Sequence, residues 1–430
     1  MRILFLAPQP FFQERGTPIA VDLVLRALSE RGDRVDLLTY HLGQQIHYEG
    51  VTIYRTPRLP FIREIAPGFS IKKVVCDILM FFKVFPLVFK RRYQVVHAVE
   101  ESVFIAMVLK KLFKIPYVYD MDSSLSQQMI EHHPRLFTPV FSLLKFAEGM
   151  AIRRARAVVP VCDALYEDIE QYGPRKVLIL RDISLLESTG QPVVEDLRAQ
   201  LGIDGPLMMY VGNLETYQGI DLMLESFSLA LQRKSQASLV VIGGKESDIQ
   251  HYRVKAGQLG IQNRVHFLGP KPVEHLAAYL SQADILVSPR VKGKNTPMKI
   301  YSYLHSGKAL LATNLPTHTQ VLNKQVAVLA DPSPYNFSRG VLSLVNDKNL
   351  RQQLGTAGKS LVAERHTYTV FRESLDALYD WLRAELEGAD DKAAVPLPNY
   401  PDRFGEGLSP EGLPLAGLPS EELALKQDRH

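Results

Sequence analysis

Short apolar runs recur along most of the chain, and nearly all are followed by glycine, proline or charged residues. Ile3–Ala7, Arg34–Thr39, Tyr93–Ala98, Tyr117–Tyr119 and Ala157–Val161 are runs of this kind. Continuous rather than alternating apolar character is what parallel strands covered on both faces show. Helical stretches lie between them, such as Pro18–Arg31 with Leu23, Leu25 and Leu28 among its apolar positions. The rhythm then restarts with strands at Leu207–Val211, Ser238–Ile242, Val265–Leu268, Ile285–Val287 and Ala309–Thr313, and a helix at Asp221–Leu231. Strands alternating with helices predict an α/β protein with two successive doubly wound parallel sheets.

The boundary between the halves falls where Ser188–Pro192 forms a turn-rich link and Glu195–Leu201 a short helix stopped by Gly202. The expected domains are 1–187 and 203–365, with an amphipathic helix over 366–387 packing back across both. Residues 388–430 are rich in proline, glycine and acids without apolar periodicity, and predict a disordered tail. A length of 430 residues suits more than one core, and 46% hydrophobic with 22% charged residues is globular. The net charge of +4 is too small for a nucleic-acid binder with a large basic face. Two cysteines, Cys76 and Cys162, cannot build a disulfide framework or a four-cysteine zinc site, which fits a cytoplasmic setting. The run Met1–Ala7 meets Pro8, Pro10, Glu14 and Arg15 too early for a secretory signal, and reads as the first strand.

Candidate chemistry sits in the loops after strands, where open α/β sheets bind ligands. The most charged of them runs from Ser288 to Lys308 and gathers Arg290, Lys292, Lys294 and Lys299 before a helix that Pro297 opens and Gly307 closes. A basic loop feeding a helix suits an anion, although charge alone also fits a solvated turn. Glycine turns follow the other strands of this half, at Gly212–Gly219, Gly243–Gly244 and Gly269. In the first half, Gly16 and Thr17 sit in a loop that a phosphate could approach, His97 and Glu100 follow the Val95–Val96 run, and Asp120 and Asp122 follow the next strand. Each of these also reads as turn or cap chemistry. Residues 71–92 are apolar with basic ends and are interrupted by Asp77, Lys83 and Pro86, and Phe137–Arg156 repeats the theme. That pattern fits a helix lying on an anionic membrane surface as well as a buried crossover helix.

Arg2–Leu6, Arg31–Thr39, Val95–Ala98, Tyr210–Leu214 with Gln218–Asp221, and Pro297–Lys308 resemble, in order, the family 4 glycosyltransferases of the GT-B fold. The resemblance covers roughly residues 1 to 385. It implies two Rossmann-like domains facing a cleft, a nucleoside-diphosphate sugar as donor, an acceptor hydroxyl, retention at the anomeric carbon and neither cofactor nor divalent metal. By the same resemblance the donor would meet Gly16, Thr17, Gly212, Asn213, Gln218, Gly243, Gly244, Arg290, Lys294, Asn295, Thr296, Pro297, Lys299 and Ser302. By the resemblance His97 would sit near the acceptor and act in catalysis, with Glu100 and Asp122 on the same side; Arg290 and Lys294 are catalytic candidates from this chain's own charges, which would stabilise the leaving group. Two departures stand out. Asn213 and Gln218 replace the arginine and lysine common in the family's glycine turn, and its paired glutamates fall on Lys294 and Ser302. A GT-B sugar-nucleotide epimerase and a catalytically inactive nucleotide-sugar-binding subunit are the alternatives. The acceptor expected is a lipid-linked or polysaccharide precursor, handled by an enzyme peripheral to the inner face of the membrane.

Overall fold

The computed structural model describes residues 1–13, 16–65, 70–126, 129, 141–186, 193–233 and 235–388. Arg15, the 188–192 link, residues 137–140 and the tail beyond 388 lie outside these residues. The first half forms a sheet of β1 (Arg2–Ala7), β2 (Arg34–Thr39), β3 (Val51–Arg55), β4 (Val95–Val99), β5 (Tyr117–Met121) and β6 (Ala157–Pro160), ordered β3-β2-β1-β4-β5-β6. The second contains β7 (Leu207–Val211), β8 (Ser238–Ile242), β9 (Val265–Gly269), β10 (Ile285–Ser288), β11 (Ala309–Thr313) and β12 (Val328–Ala330), ordered β12-β11-β10-β7-β8-β9. Every pairing is parallel. Counted within its own half, each sheet has the same doubly wound order, so each reverses beside its first strand: between β1 and β4, and between β7 and β10. The α/β expectation therefore holds in both halves.

β3 and β12 were not apparent in the sequence. Both are edge strands; β3 carries polar or half-exposed positions throughout, and β12 is three residues long. Neither has the continuous apolar run that marks a central strand.

In the amino-terminal half the helices Ile71–Lys90, Val103–Phe113 and Phe141–Arg154 cover one face of the sheet, burying Met80, Val84, Leu109 and Ile152 against Leu4, Val96 and Tyr119. Ser70 caps the first of them by accepting from the Lys73 N–H. The Gly16–Glu30 helix and the last helix, Tyr368–Glu387, cover the other face. That last helix was expected to pack across both domains. Its buried stripe, Phe371, Leu375, Leu378, Tyr379, Trp381 and Leu382, joins Ile3, Phe5, Val35 and Val95 in the amino-terminal core, while His366, just before the helix, packs 4.7 Å from the Tyr301 ring of the carboxyl-terminal half. Each such side chain contributes roughly 1.5–3 kcal/mol by leaving water, which holds the chain's last helix on the domain where the chain begins.

Contacts also cross between the halves. The Leu185 N–H donates to Ser302 Oγ at 3.1 Å, Lys294 Nζ pairs with Asp168 at 2.6 Å, and Ser184 Oγ lies 2.8 Å from His305 Nδ1. Among the described residues no helix is long and apolar enough to cross a membrane.

Candidate active site

The carboxyl-terminal half builds its crevice where β7 and β10 lie side by side. β7 is followed by Gly212, whose φ of 150° suits glycine, and a Cβ there would meet Lys299 Nζ. The same loop closes at Gly219, packed so tightly on the Pro289 carbonyl that no side chain fits. These two glycines let the loop after β7 lie against the basic loop after β10. Lys299 thereby reaches back over the Tyr210 ring, 4.0 Å from its centroid, with Nζ 3.3 Å from Gln218 Oε1. Burial, and secondarily Arg290, pushes the Lys299 amine down to about 7, so near neutrality it is poised between charged and neutral forms.

Arg290 stacks on Tyr217 at 5.2 Å, and its guanidinium donates to the Lys292 carbonyl at 2.7 Å and to Asn295 Oδ1 at 3.1 Å. The loop is braced from beneath. His318 Nε2 lies 2.8 Å from Ser288 Oγ and Nδ1 lies 2.9 Å from Thr313 Oγ1, while the Thr313 hydroxyl donates to the Arg290 carbonyl at 2.6 Å. Burial pushes His318 down to about 3, so it serves as a neutral bridge. Beside Lys299 opens a cavity of about 160 Å³ lined mainly by Val211, Ile242, Pro272, Leu276 and Tyr279. The Tyr279 hydroxyl donates to Glu195 at 2.9 Å, and Lys271 pairs with the same carboxylate at 2.8 Å. An apolar slot beside two cations suits a flat ring attached to an anion. The glycine turns marked the loops, but the lining of the slot comes from β9's far loop and its helix, whose residues look like ordinary core in the sequence.

The amino-terminal crevice, between β1 and β4, has the opposite charge. Glu100, at the end of β4, adopts a positive φ of 47° and accepts from Ser123 Oγ at 3.1 Å. Asp120 and Asp122 come from the end of β5, and Asp182 from the segment after β6. Asp122 is held well above the usual carboxylate range by burial and then by Asp120, Glu100 and Asp182, against a hydrogen bond from Thr17. Its Oδ2 has no partner among the described residues. Asp182 is pushed up to about 7 by burial and by Asp120. Gly16, with φ of 28°, begins the helix that carries Thr17 into this crevice.

Several expected site residues are placed differently. His97 was expected at the ligand edge, as a catalytic, acceptor-side group. It is mid-strand, paired with Phe5 and Val118, and fully buried. Its ring stacks on Phe5 at 4.4 Å, Nδ1 lies 2.8 Å from the Tyr379 hydroxyl, and Nε2 lies 3.0 Å from Asp120 Oδ2. His97 therefore positions Asp120 from beneath and cannot touch a substrate. The strand runs two residues beyond it, a length that the sequence alone left ambiguous. Lys294, also expected to be catalytic, is held by Asp168 from the Asp163–Glu170 helix of the other half. Ser302 is buried and accepts from Leu185 N–H, although its side of the helix lines the cavity.

Asn213, Gln218, Gly243 and Gly244 do gather around the Gly212 turn: the Gly243 N–H donates to Gly269, and Asn213 Nδ2 lies 3.4 Å from the Tyr217 hydroxyl. Asn295 supports Arg290, while Thr296 is buried and Pro297 precedes the Lys299–His305 helix. Asp182, Tyr279 and Tyr379 carry no motif, and only the folded chain brings them to the site. Among the described residues no three His, Cys, Asp or Glu side chains are grouped to hold a metal ion.

Two facing Rossmann-type halves with a basic crevice on the second define a GT-B arrangement. Residues 15–180 match the model described as Glycosyltransferase Family 4, and residues 193–361 match Glycosyl transferases group 1. The chain belongs to the family 4 glycosyltransferases. A curated relative, the D-inositol 3-phosphate glycosyltransferase of Corynebacterium diphtheriae, is 24% identical over 334 residues, covering 74% of this chain and 75% of the relative. Among solved structures, the sucrose-phosphate synthase of Thermosynechococcus elongatus superposes with a TM-score of 0.71 at 18% identity, covering 89% of this chain and 99% of that one. Anabaena HepE, solved in complex with UDP-glucose, gives a TM-score of 0.67 at 15% identity, covering 88% and 99%.

Proposed function

We propose that the chain moves a sugar, with retention of anomeric configuration, from a nucleoside diphosphate in the carboxyl-terminal crevice to an acceptor hydroxyl at the amino-terminal one. The observation that carries this reading is the meeting of Lys299 and Arg290 at the Gly212 turn, beside an apolar slot. In this reading the nucleobase lies against Pro272 and Tyr279, and the two cations meet the diphosphate. As the bond from the anomeric carbon to the phosphate oxygen breaks, negative charge grows on the leaving diphosphate, and fixed cations in a desolvated crevice stabilise it. The acceptor oxygen bonds to the same face of the carbon, and its proton passes to the leaving phosphate. The nucleotide sugar is a substrate, and Arg290 and Lys299 supply the positive charge that a divalent metal would otherwise bring.

Asp120, Asp122 and Asp182 face the acceptor in this scheme. A carboxyl group poised near 7 can accept or donate a hydrogen bond to a sugar hydroxyl. These carboxyl groups offer a phosphate no cation to pair with near the reacting hydroxyl, so the acceptor in this reading is neutral or cationic there. This separates the chain from relatives named for a phosphorylated acceptor. A binding subunit without turnover is the second reading, favoured by the engagement of Lys294 with Asp168 and of Ser302 with Leu185.

Calorimetric titration with nucleotide sugars, paired with a turnover assay against non-phosphorylated acceptors, tests the proposal. Arg290→Ala should weaken donor binding by about 1.5–3 kcal/mol. Unchanged affinity removes Arg290 from the donor site, whereas normal donor binding with no turnover on any acceptor favours the binding subunit. Donor incubated alone and converted to its epimer would establish the epimerase instead.

A further inference from the structure

We propose that the outer layer of the amino-terminal half, formed by the Ile71–Lys90, Val103–Phe113 and Phe141–Arg154 helices, docks on an anionic lipid bilayer. The inference stands apart from the transfer reading, since it concerns a surface outside the cleft. A crossover helix in an open α/β sheet needs one apolar stripe, and the Ile71–Lys90 helix has two. Cys76, Met80, Val84, Leu87 and Val88 face the sheet. Ile71, Val74, Ile78 and Phe82 recur at three- and four-residue steps on the opposite side, Phe89 follows two turns later, and all stand in solvent, with Ile71 79%, Phe82 65% and Phe89 74% exposed. At 1.5 Å per residue this second stripe is about 27 Å long, and it runs from the cleft side of the domain towards its far edge.

The stripe continues onto the neighbouring helices. Phe89 meets Phe113 edge-on at 5.4 Å, and Phe85 lies 6.2 Å from the same ring. Phe104 and Leu112 on the second helix, and Leu143 and Phe146 on the third, are also exposed. An apolar surface of this extent on a layer already packed against its own sheet marks an interaction site.

The charges around it identify the occupant. Lys72, Lys83, Lys90, Arg92, Lys111, Lys114, Lys145, Arg153 and Arg154 are all exposed on these helices or at their ends. The only acids within the three helices are Asp77, which accepts from the Tyr40 hydroxyl, and Glu148, which is buried and accepts from Ser124, Ser126 and the Leu125 N–H. In a chain of net charge +4, this face therefore concentrates cations, with no exposed carboxylate among the described residues of its three helices. Between the second and third helices, Lys110, Lys111, Lys114 and Arg154 rim a groove of about 590 Å³ floored by Phe104, Met107 and Val108. Aromatic and aliphatic side chains flanked by lysines and arginines match the layering of acyl chains beneath anionic headgroups. A helix lying in that plane would bring its Ile71 end, and with it the cleft, alongside the membrane.

The test is co-sedimentation of the full chain with vesicles of phosphatidylcholine alone and of phosphatidylcholine mixed with phosphatidylglycerol. Recovery with the anionic vesicles should exceed that with the neutral ones by about tenfold and fall as salt is raised. Phe82→Ser with Phe89→Ser, at exposed positions, should lower vesicle binding by about tenfold without changing the melting temperature. Lys111→Glu with Arg154→Glu should abolish the preference for anionic lipid. Equal recovery with both vesicle types overturns the proposal, as does wild-type binding by the double phenylalanine variant. A dimer that ignores vesicles and dissociates in that variant overturns it in favour of a second copy of the chain.

Discussion

The two crevices of this enzyme share one backbone plan and differ in charge. Both sheets reverse direction beside their first strand, both carry a positive-φ glycine after that strand, Gly16 and Gly212, and both gather ionisable groups at that edge. In the amino-terminal half those groups are Glu100, Asp120, Asp122 and Asp182; in the carboxyl-terminal half they are Arg290 and Lys299. Burial acts on both sets in opposite directions, raising Asp182 to about 7 and lowering Lys299 to about 7. Topology thus provides two equivalent strand-end edges that differ in side-chain charge, and the proposed donor site is the cationic one.

The sharpest way to break the comparison is to remove the support beneath the acidic edge. His97→Ala deletes a fully buried ring stacked on Phe5 and leaves Asp120 and the Tyr379 hydroxyl each without a partner they now have. Loss of about 3–5 kcal/mol in chemical denaturation is expected. A variant as stable as the parent would show that the His97 contacts carry no net weight. Next in size, Asp182→Asn should lower turnover by about 100-fold while leaving donor affinity in place. Weaker donor binding with normal turnover would put Asp182 on the wrong side of the cleft.

Much of this was legible in the chain before folding was considered, for physical reasons that differ by region. The inner strands of both sheets are buried on two faces and so read as unbroken apolar runs, whereas β3 and β12, on the edges, do not. The basic loop announced itself because Arg290 and Lys299 flank a proline-opened helix in one short stretch. What the sequence could not show was which of its cations point inward. Lys294 and Lys299 are five residues apart with the same charge, yet one is held by Asp168 across the domains and the other lies over Tyr210. The acidic edge was half visible, since Glu100 and Asp122 follow strands, but Asp182 comes from the segment after β6 and Tyr379 from the last helix. Their positions are set by contacts distant in sequence. His97 lies inside the strand for a related reason: β4 ends at Val99, three residues beyond the Val95–Val96 pair, and that difference moves the side chain from the edge into the core.

The central claim, that Lys299 is a donor-site cation poised by burial, is tested most directly by how donor affinity changes with pH. UDP-, GDP- and ADP-glucose are suitable probes because both phosphates of a nucleotide sugar stay ionised throughout the range. Burial pushes the Lys299 amine down to about 7, and a diphosphate held beside it would favour the charged form, so affinity should be complete below that pH and fall as pH rises through it. Calorimetry about one unit below and about one unit above the midpoint should show a loss approaching tenfold for whichever donor binds, and Lys299→Met should bind weakly at both. Affinity that stays flat with pH in the parent, or survives in Lys299→Met, would contradict the account.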